Sequence, residues 1–339
     1  MIFLRMVPPE VMLGVASGLY KVTGSVVRDV ASGRGVAFLQ ETGLMETVLN
    51  AVLSSGGNPI AALANFGLGV AGVVQNEQIK SRLAEVQSSL ALLQNTQLAS
   101  LAVSGLGLGV SVVGFAVMLK RLKGIETHLG QIEAKIETIT TDRRSDGLRM
   151  IFADVATQLE TVDTLSARTN KVHVAEAAEQ ALATSAGRLE SLFQQKSDTM
   201  KTAAITPNDM DMLWSLAAAI RLCHEAGLRA LYSVDELEAA RQLADRRAAQ
   251  FLGLGQDLTP DTLARLCGQS AKDPVTYAEA RRMALPQAEM LVQGLRDSVA
   301  SIASQSELAQ GLIGRQISGP AYLAEVVAEK EAPLLMLSA

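Results

Sequence analysis

The chain has few of the residues that build metal centres, disulfide frameworks or nucleic-acid surfaces. Its 339 residues include two cysteines, three histidines and one tryptophan, and aromatic residues make up 4%. Two cysteines exclude a disulfide framework or a four-cysteine zinc site, and the dispersed histidines offer no metal cluster. Acidic residues exceed basic ones by 35 to 30, so the basic footprint of a nucleic-acid-binding protein is missing. We therefore predict no metal, no cofactor and no nucleic-acid partner.

Charge is also scarce in one part of the chain. Residues 1–119 contain 6 Lys or Arg and 6 Asp or Glu, whereas residues 120–339 contain 24 and 29. Two runs, 47–76 and 86–119, contain no charged residue at all. The change at Lys120 is abrupt, and it indicates two regions with different preferences for water.

Residues 98–119 form the strongest apolar stretch, LASLAVSGLGLGVSVVGFAVML. As a helix these 22 residues would extend about 33 Å, which matches the ~30 Å hydrocarbon core of a bilayer. The stretch ends at a basic cluster typical of the cytoplasmic end of a membrane span: Lys120, Arg121 and Lys123. Small residues and one aromatic residue are expected to insert and to pack this helix on a neighbour: Gly105, Gly109, Gly114 and Phe115.

A second apolar segment, 60–74, would extend only about 22 Å as a helix, which is short for a full crossing. Three glycines make one of its faces small enough to pack on the longer segment: Gly67, Gly69 and Gly72. Between the two segments, residues 77–93 have the spacing of an amphipathic helix. We therefore predict an apolar, amphipathic and apolar hairpin over 57–119. It either inserts into a membrane or, alternatively, is buried inside a soluble bundle.

Heptad spacing follows directly after the basic cluster. Apolar residues recur at intervals of three and four at Leu122, Ile125, Leu129, Ile132, Ile136 and Ile139. Residues 140–147 are polar and predict a turn, after which the spacing resumes over 148–165 and again over 175–192. The pattern suits oligomerisation through a coiled coil and also an intramolecular antiparallel bundle, of which we slightly favour the bundle.

The C-terminal region has the composition of a globular all-α domain. Helix starts are predicted where proline follows a residue that can precede or cap a helix, at Thr206-Pro207, Thr259-Pro260, Asp273-Pro274 and Gly319-Pro320. Residues 233–236 match a capping box for a further helix. Pro286 is predicted to kink a helix or to open one.

Residues 25–40 are the one β-like stretch. Two short runs rich in Val and Phe flank 31–35, whose glycines suit a tight turn. This predicts a hairpin, which must pack on another element because an isolated hairpin is only marginally stable. Pro8, Pro9 and Glu10 interrupt the N-terminal apolar run. We therefore expect no signal peptide, cytoplasmic synthesis with reduced cysteines, and association with a membrane such as the inner membrane.

Cys223 and His224 invite a catalytic interpretation. Consecutive helix residues point about 100° apart, however, and no Asn or Asp lies one turn away to orient the imidazole. We expect a buried cysteine beside a histidine at the surface or its boundary, and we assign no catalytic residue. Charged residues on the flanking helices are expected on solvated faces: Glu176, Glu179, Arg241, Arg246 and Arg247. The sequence contains no P-loop, HExxH or GxSxG motif.

Together these features predict an all-α fold, an elongated helical bundle or coiled coil with a Gly-rich apolar helical hairpin and a small N-terminal β-hairpin. The predicted regions are 1–56, 57–119, 120–205 and 206–339. In architecture, residues 57–192 resemble the α-helical pore-forming proteins, in which a bundle carries an apolar hairpin that is hidden until membrane contact.

The resemblance and the apolar runs together predict a non-enzymatic, membrane-active protein. Its partners would be a lipid bilayer and further copies of itself, joined through the coiled coil. The alternative is a soluble or peripheral coiled-coil scaffold that binds a partner protein and keeps the apolar hairpin buried. An enzyme in the C-terminal region is a third hypothesis, with no motif to support it.

Overall fold

The computed structural model describes residues 4–42, 140–202, 205–269, 271–329 and 334–338. In these ranges the chain is mostly helical, with one small antiparallel sheet. Its elements are β1 (Arg5–Met6), α1 (Pro9–Ala16), β2 (Tyr20–Thr23), β3 (Val26–Asp29), β4 (Gly35–Glu41), α2 (Thr140–Asp163), α3 (Lys171–Thr202), α4 (Pro207–Ser233), α5 (Leu237–Gly255), α6 (Pro260–Gly268), α7 (Pro274–Gly314), α8 (Gly319–Ala328) and β5 (Leu334–Ser338).

The sheet has five strands in the order β1-β5-β4-β3-β2, and every neighbouring pair is antiparallel. The predicted hairpin is confirmed, because β3 pairs with β4 across Val26↔Phe38 and Val27↔Ala37. In its turn Gly33 has a φ of +70°, which glycine adopts without steric cost. Strand β5 has no counterpart among the sequence-based predictions. It lies between β1 and β4, so the last described residues pair with the N-terminal segment.

The sheet lies between two helical layers. On one face, Val22, Val27 and Leu39 are buried against α1. On the other face, Val26 and Phe38 pack with residues of α4, α5, α7 and α8. A second and larger core joins α2 and α3 to α4–α7. The two cores share α4, α5 and α7, so elements on both sides of residues 43–139 belong to one packed body.

The second and third stretches of heptad spacing are buried within this body. Most of their seam residues are inaccessible to solvent: Phe152, Val155, Leu159, Val162, Leu165, Ala175, Ala178, Leu182, Ser185 and Leu189. They pack within one chain, as the bundle prediction expects, and α3 lies along α4. Oligomerisation through a coiled coil and the four-part division of the chain stay predictions.

The turn predicted over 140–147 is wrong, because these residues form the first two turns of α2. The stretch is polar but contains no proline and only one glycine, Gly147. Charged residues are compatible with a helix when they face water, so polarity alone does not predict a turn.

The predicted helix starts in the C-terminal region are confirmed. Thr206 accepts a hydrogen bond from the Asp209 amide and the Asp209 carboxylate accepts one from the Thr206 amide, which makes a full capping box. Thr259, Asp273 and Ser318 cap α6, α7 and α8 by accepting hydrogen bonds from backbone amides of the first turn. Pro286 does not open a new helix, since α7 continues through it as one element.

The capping box predicted over 233–236 is wrong. Ser233 is the last residue of α4, where its hydroxyl donates to the Arg229 carbonyl at 2.8 Å. Asp235 adopts a positive φ of 65°, and its carboxylate accepts a hydrogen bond from the Gly319 amide at 2.7 Å. The Asp235 carboxylate therefore forms a tertiary contact with the first residue of α8. Helix α5 begins only after Glu236.

Candidate functional site

The residues predicted for membrane insertion and for the first heptad stretch all lie outside the described residues. They are Gly67, Gly69, Gly72, Gly105, Gly109, Gly114, Phe115, Lys120, Arg121, Lys123, Leu122, Ile125, Leu129, Ile132, Ile136 and Ile139. Within the ranges that the structure describes, no helix combines the length and the apolar character that a membrane crossing requires. The same ranges hold no group of three His, Cys, Asp or Glu placed to bind a metal.

The described body contains a cleft of about 360 Å³ where the turn between β2 and β3 meets α4 and α7. One wall is β2 and the turn, with Lys21 and Gly24. The opposite wall is one face of α7, with Arg296, Asp297 and Ser301, and Arg221 of α4 lies between the walls. Three cations from three elements therefore line one cleft with a single carboxylate among the described residues.

Gly24 fixes the distance between the sheet and α7. A Cβ atom at this position would lie 2.6 Å from the Ala300 carbonyl oxygen, and the residue has a φ of +61°. The next residue, Ser25, donates from its amide to the Ser304 hydroxyl at 3.1 Å. Ser304 in turn donates to the Ser301 carbonyl at 2.7 Å. The turn thus rests directly on α7, and the cleft opens beside this contact.

A buried ion pair forms the floor of the cleft. Arg221 and Glu225 are 2% and 1% exposed, and Arg221 Nε donates to Glu225 Oε1 at 2.7 Å. Arg221 Nη2 donates to the Ser301 hydroxyl at 3.0 Å, and Ser301 donates to the same Glu225 oxygen at 3.2 Å. These three bonds fix the guanidinium plane. A buried charge pair needs such support because its desolvation cost offsets its attraction.

Three buried polar atoms near this floor have no hydrogen-bond partner in the described part of the chain. They are Glu225 Oε2 and both amide atoms of Gln305, a residue one turn beyond Ser301 on α7. Gln305 is held through its backbone, whose carbonyl accepts from the Tyr232 hydroxyl at 2.8 Å. Most buried polar groups in proteins have a hydrogen-bond partner, so these three atoms are an exception among the described residues.

Asp297 is the carboxylate within the cleft. Burial raises its pKa above the ordinary value, against the opposite effects of a hydrogen bond from Gln293 and of the nearby charges of Arg221 and Lys21. Gln293 Nε2 donates to it at 2.8 Å. Neither Lys21 nor Arg296 forms a salt bridge within the described part of the chain. The cleft therefore has more positive than negative charge.

His224 is buried, which corrects the expectation of a surface or boundary position. It is 3% exposed, and its Nε2 lies 3.2 Å from Glu190 Oε1 of α3. The ring of Phe251 on α5 packs edge-on against it, with 6.5 Å between ring centroids. Burial lowers the pKa of His224, against the effect of Glu190, so the neutral imidazole is favoured.

Cys223 is buried as expected. Burial raises the pKa of its thiol to about 12, and a protonated thiol is a poor nucleophile. Residues one turn away along α4 offer no Asn or Asp to orient the imidazole. The carboxylate that contacts His224 comes instead from the neighbouring helix α3.

The charged residues expected on solvated faces divide into two groups. Glu176 and Arg246 are exposed, in agreement with the expectation. Glu179 and Arg247 are partly buried and pair across α3 and α5, with 3.6 Å between Arg247 Nη2 and Glu179 Oε1. Arg241 is partly exposed and pairs with Glu238 on its own helix.

No family model, curated protein or solved structure matches the chain.

Proposed function

We propose that this protein is a non-enzymatic, membrane-active helical protein that inserts into or anchors on a lipid bilayer through residues 98–119, assisted by 60–74. The observation that carries the proposal is the charge-free run of residues 86–119, which ends at Lys120, Arg121 and Lys123. A 22-residue helix of this composition suits the hydrocarbon thickness and satisfies its own backbone groups.

The position of this run in the chain supports the proposal. Strand β4 ends at Glu41 and helix α2 begins at Thr140, and both elements belong to one packed body. The body fills its cores with residues from before and after residues 43–139. The apolar run therefore lies, in sequence, between two segments that share this body.

The driving force would be the removal of apolar surface from water, worth roughly 25 cal/mol per Å². The glycines at 105 and 109 would allow a second helix to approach closely. The heptad residues at 122–139 would join copies of the chain, as in the α-helical pore-forming proteins that the arrangement resembles.

Flotation of the full chain with liposomes, read together with dye release, tests the proposal. Release with flotation indicates a pore-like state, and flotation alone indicates an anchor. Val110→Asp should lower the bound fraction more than about tenfold, because a charge at the centre of a span costs about 2.5–3.5 kcal/mol.

Val172→Asp is the matched control, since Val172 is exposed at the start of α3 and outside the apolar run. It should float like the unchanged chain. If the unchanged chain floats with neither neutral nor anionic lipid, or if V110D floats as well as V172D, insertion through 98–119 is wrong. The scaffold hypothesis then takes its place, and a pull-down would have to find the partner protein.

A further inference from the structure

We propose that the cleft between β2, α4 and α7 binds a phosphate-type oxyanion, held by Lys21, Arg221 and Arg296. The proposal rests on the geometry of the described body alone and does not depend on membrane insertion. It concerns residues that are far apart in the chain and that the fold brings together.

The cleft has the size and the charge of a small-anion site. Its volume of about 360 Å³ lies at the small end of the range for ligand pockets, about 300–1,000 Å³. Lys21 enters from the sheet, Arg221 from α4 and Arg296 from α7. Positive charge thus approaches one volume from three directions. A tetrahedral oxyanion offers oxygens in several directions, whereas a carboxylate offers two in one plane.

Arg221 is the pre-organised part of this site. The bonds to Glu225 and Ser301 use its Nε and Nη2 atoms, and they hold the guanidinium of a residue that lines the cleft. A guanidinium held in this way loses little rotamer freedom when it binds an anion. Lys21 and Arg296 are exposed at the rim, where they can close on the bound group.

A divalent cation does not suit this cleft, because Asp297 is the one carboxylate among three basic side chains of the described lining. Gln293 donates a hydrogen bond to this carboxylate. Calcium or magnesium would require several oxygen ligands, while three cations would repel either ion. Asp297 instead competes with an incoming anion for Arg221 and Lys21.

Titration calorimetry of the full chain with inorganic phosphate, at constant ionic strength, tests the site. We expect saturable binding that Arg296→Gln and Lys21→Gln each weaken about tenfold, because each removes one charge-assisted hydrogen bond. Asp297→Asn should strengthen binding, since it removes the competing carboxylate. Arg221 is left unchanged because its loss would leave Glu225 buried without a partner.

Matched controls come from the same fold. Arg282→Gln changes an exposed arginine on α7 away from the cleft, and Lys272→Gln changes an exposed lysine before α7. Both should bind phosphate like the unchanged chain. The circular dichroism spectrum of every variant should match that of the unchanged chain, which separates lost binding from lost folding.

The phosphate group can belong to a soluble compound or to a lipid headgroup. Vesicles of phosphatidylcholine with phosphatidic acid, compared with phosphatidylcholine alone, distinguish the two. If R296Q reduces flotation with phosphatidic acid, and inorganic phosphate competes with that flotation, the ligand is a lipid headgroup. If neither change affects flotation while inorganic phosphate still binds, the ligand is a soluble phosphate compound. The proposal is overturned if neither inorganic phosphate nor phosphatidic acid binds through the cleft, or if R282Q and K272Q weaken binding as much as R296Q and K21Q.

Discussion

Helix α4 carries two buried polar contacts that differ in what surrounds them. Arg221 and Glu225 contact α7 beside an open cleft, whereas His224 contacts Glu190 of α3 and the ring of Phe251 on α5. In the first contact, Glu225 Oε2 has no hydrogen-bond partner among the described residues, and Arg221 lines the cleft. The second is buried between Glu190 and Phe251, and burial favours the neutral imidazole. We infer that α4 separates a binding side from a structural side.

The largest effect is expected from breaking the ion pair on the binding side. Glu225→Ala leaves the guanidinium of Arg221 buried without its counter-charge, so we expect a loss of about 3–5 kcal/mol in the free energy of unfolding. The double variant Arg221→Met with Glu225→Leu should recover most of that loss, because no charge stays buried. Urea unfolding measures both. A loss below about 1 kcal/mol for E225A would mean that water reaches the pair.

The contact between the sheet and α7 should give the next largest effect. Gly24→Ala places a Cβ against the Ala300 carbonyl at a positive φ, so we expect a cost of about 1–3 kcal/mol and a displaced cleft wall. Gly33→Ala is the control, since Gly33 also has a positive φ but no atom within 4 Å of the added Cβ. It should cost less in urea unfolding. Equal costs would show that backbone strain dominates at both glycines.

On the structural side, His224 makes stability depend on pH. Its folded-state pKa lies below the ordinary value of 6.5, so below about pH 6.5 the unfolded chain binds a proton that the folded chain does not. The free energy of unfolding therefore decreases as the pH falls from there toward the lower, folded pKa. Glu190 and Glu225 oppose the shift, while Arg247 adds to it.

Urea unfolding at a series of pH values measures this dependence in variants of the two histidines. His224→Gln should flatten the curve near pH 6.5. His173→Gln, at an exposed position on α3, should leave it unchanged. If H224Q keeps the full slope, another group that binds a proton more readily in the unfolded chain is responsible; the raised pKa values of the Asp163 and Asp297 carboxyls would give a slope of the opposite sign.

Local signals in the sequence predicted the elements that local chemistry determines. Capping residues before proline located three helix starts at their caps, and Val-rich runs around Gly33 and Gly35 located the β3–β4 hairpin. Strands β1 and β5 were missed because they form by pairing between the two ends of the chain. The box at 233–236 failed because Ser233 is still part of α4, where its hydroxyl donates to the Arg229 carbonyl.

The cleft could not be predicted from the sequence, because its cations come from three separated segments. The one available signal was the pair Arg221 and Glu225, four residues apart in an otherwise apolar stretch of α4. Charges with helical spacing inside such a stretch indicate a buried pair, since α4 must face the core on most sides. The membrane prediction depends on residues outside the described ranges, so it stays a proposal.

The smallest perturbation tests whether the structural side of α4 is closed in solution. Cys223 is buried with a raised thiol pKa, whereas Cys267 on α6 is partly exposed. In the native protein we expect a maleimide to label Cys267 and to leave Cys223 unlabelled, while both react in urea. Cys267→Ser should then give a native protein with no labelling.

Rapid labelling of Cys223 in C267S would mean that the packing of α3 and α5 over α4 opens under native conditions. The division of α4 into a binding side and a closed side would then be wrong.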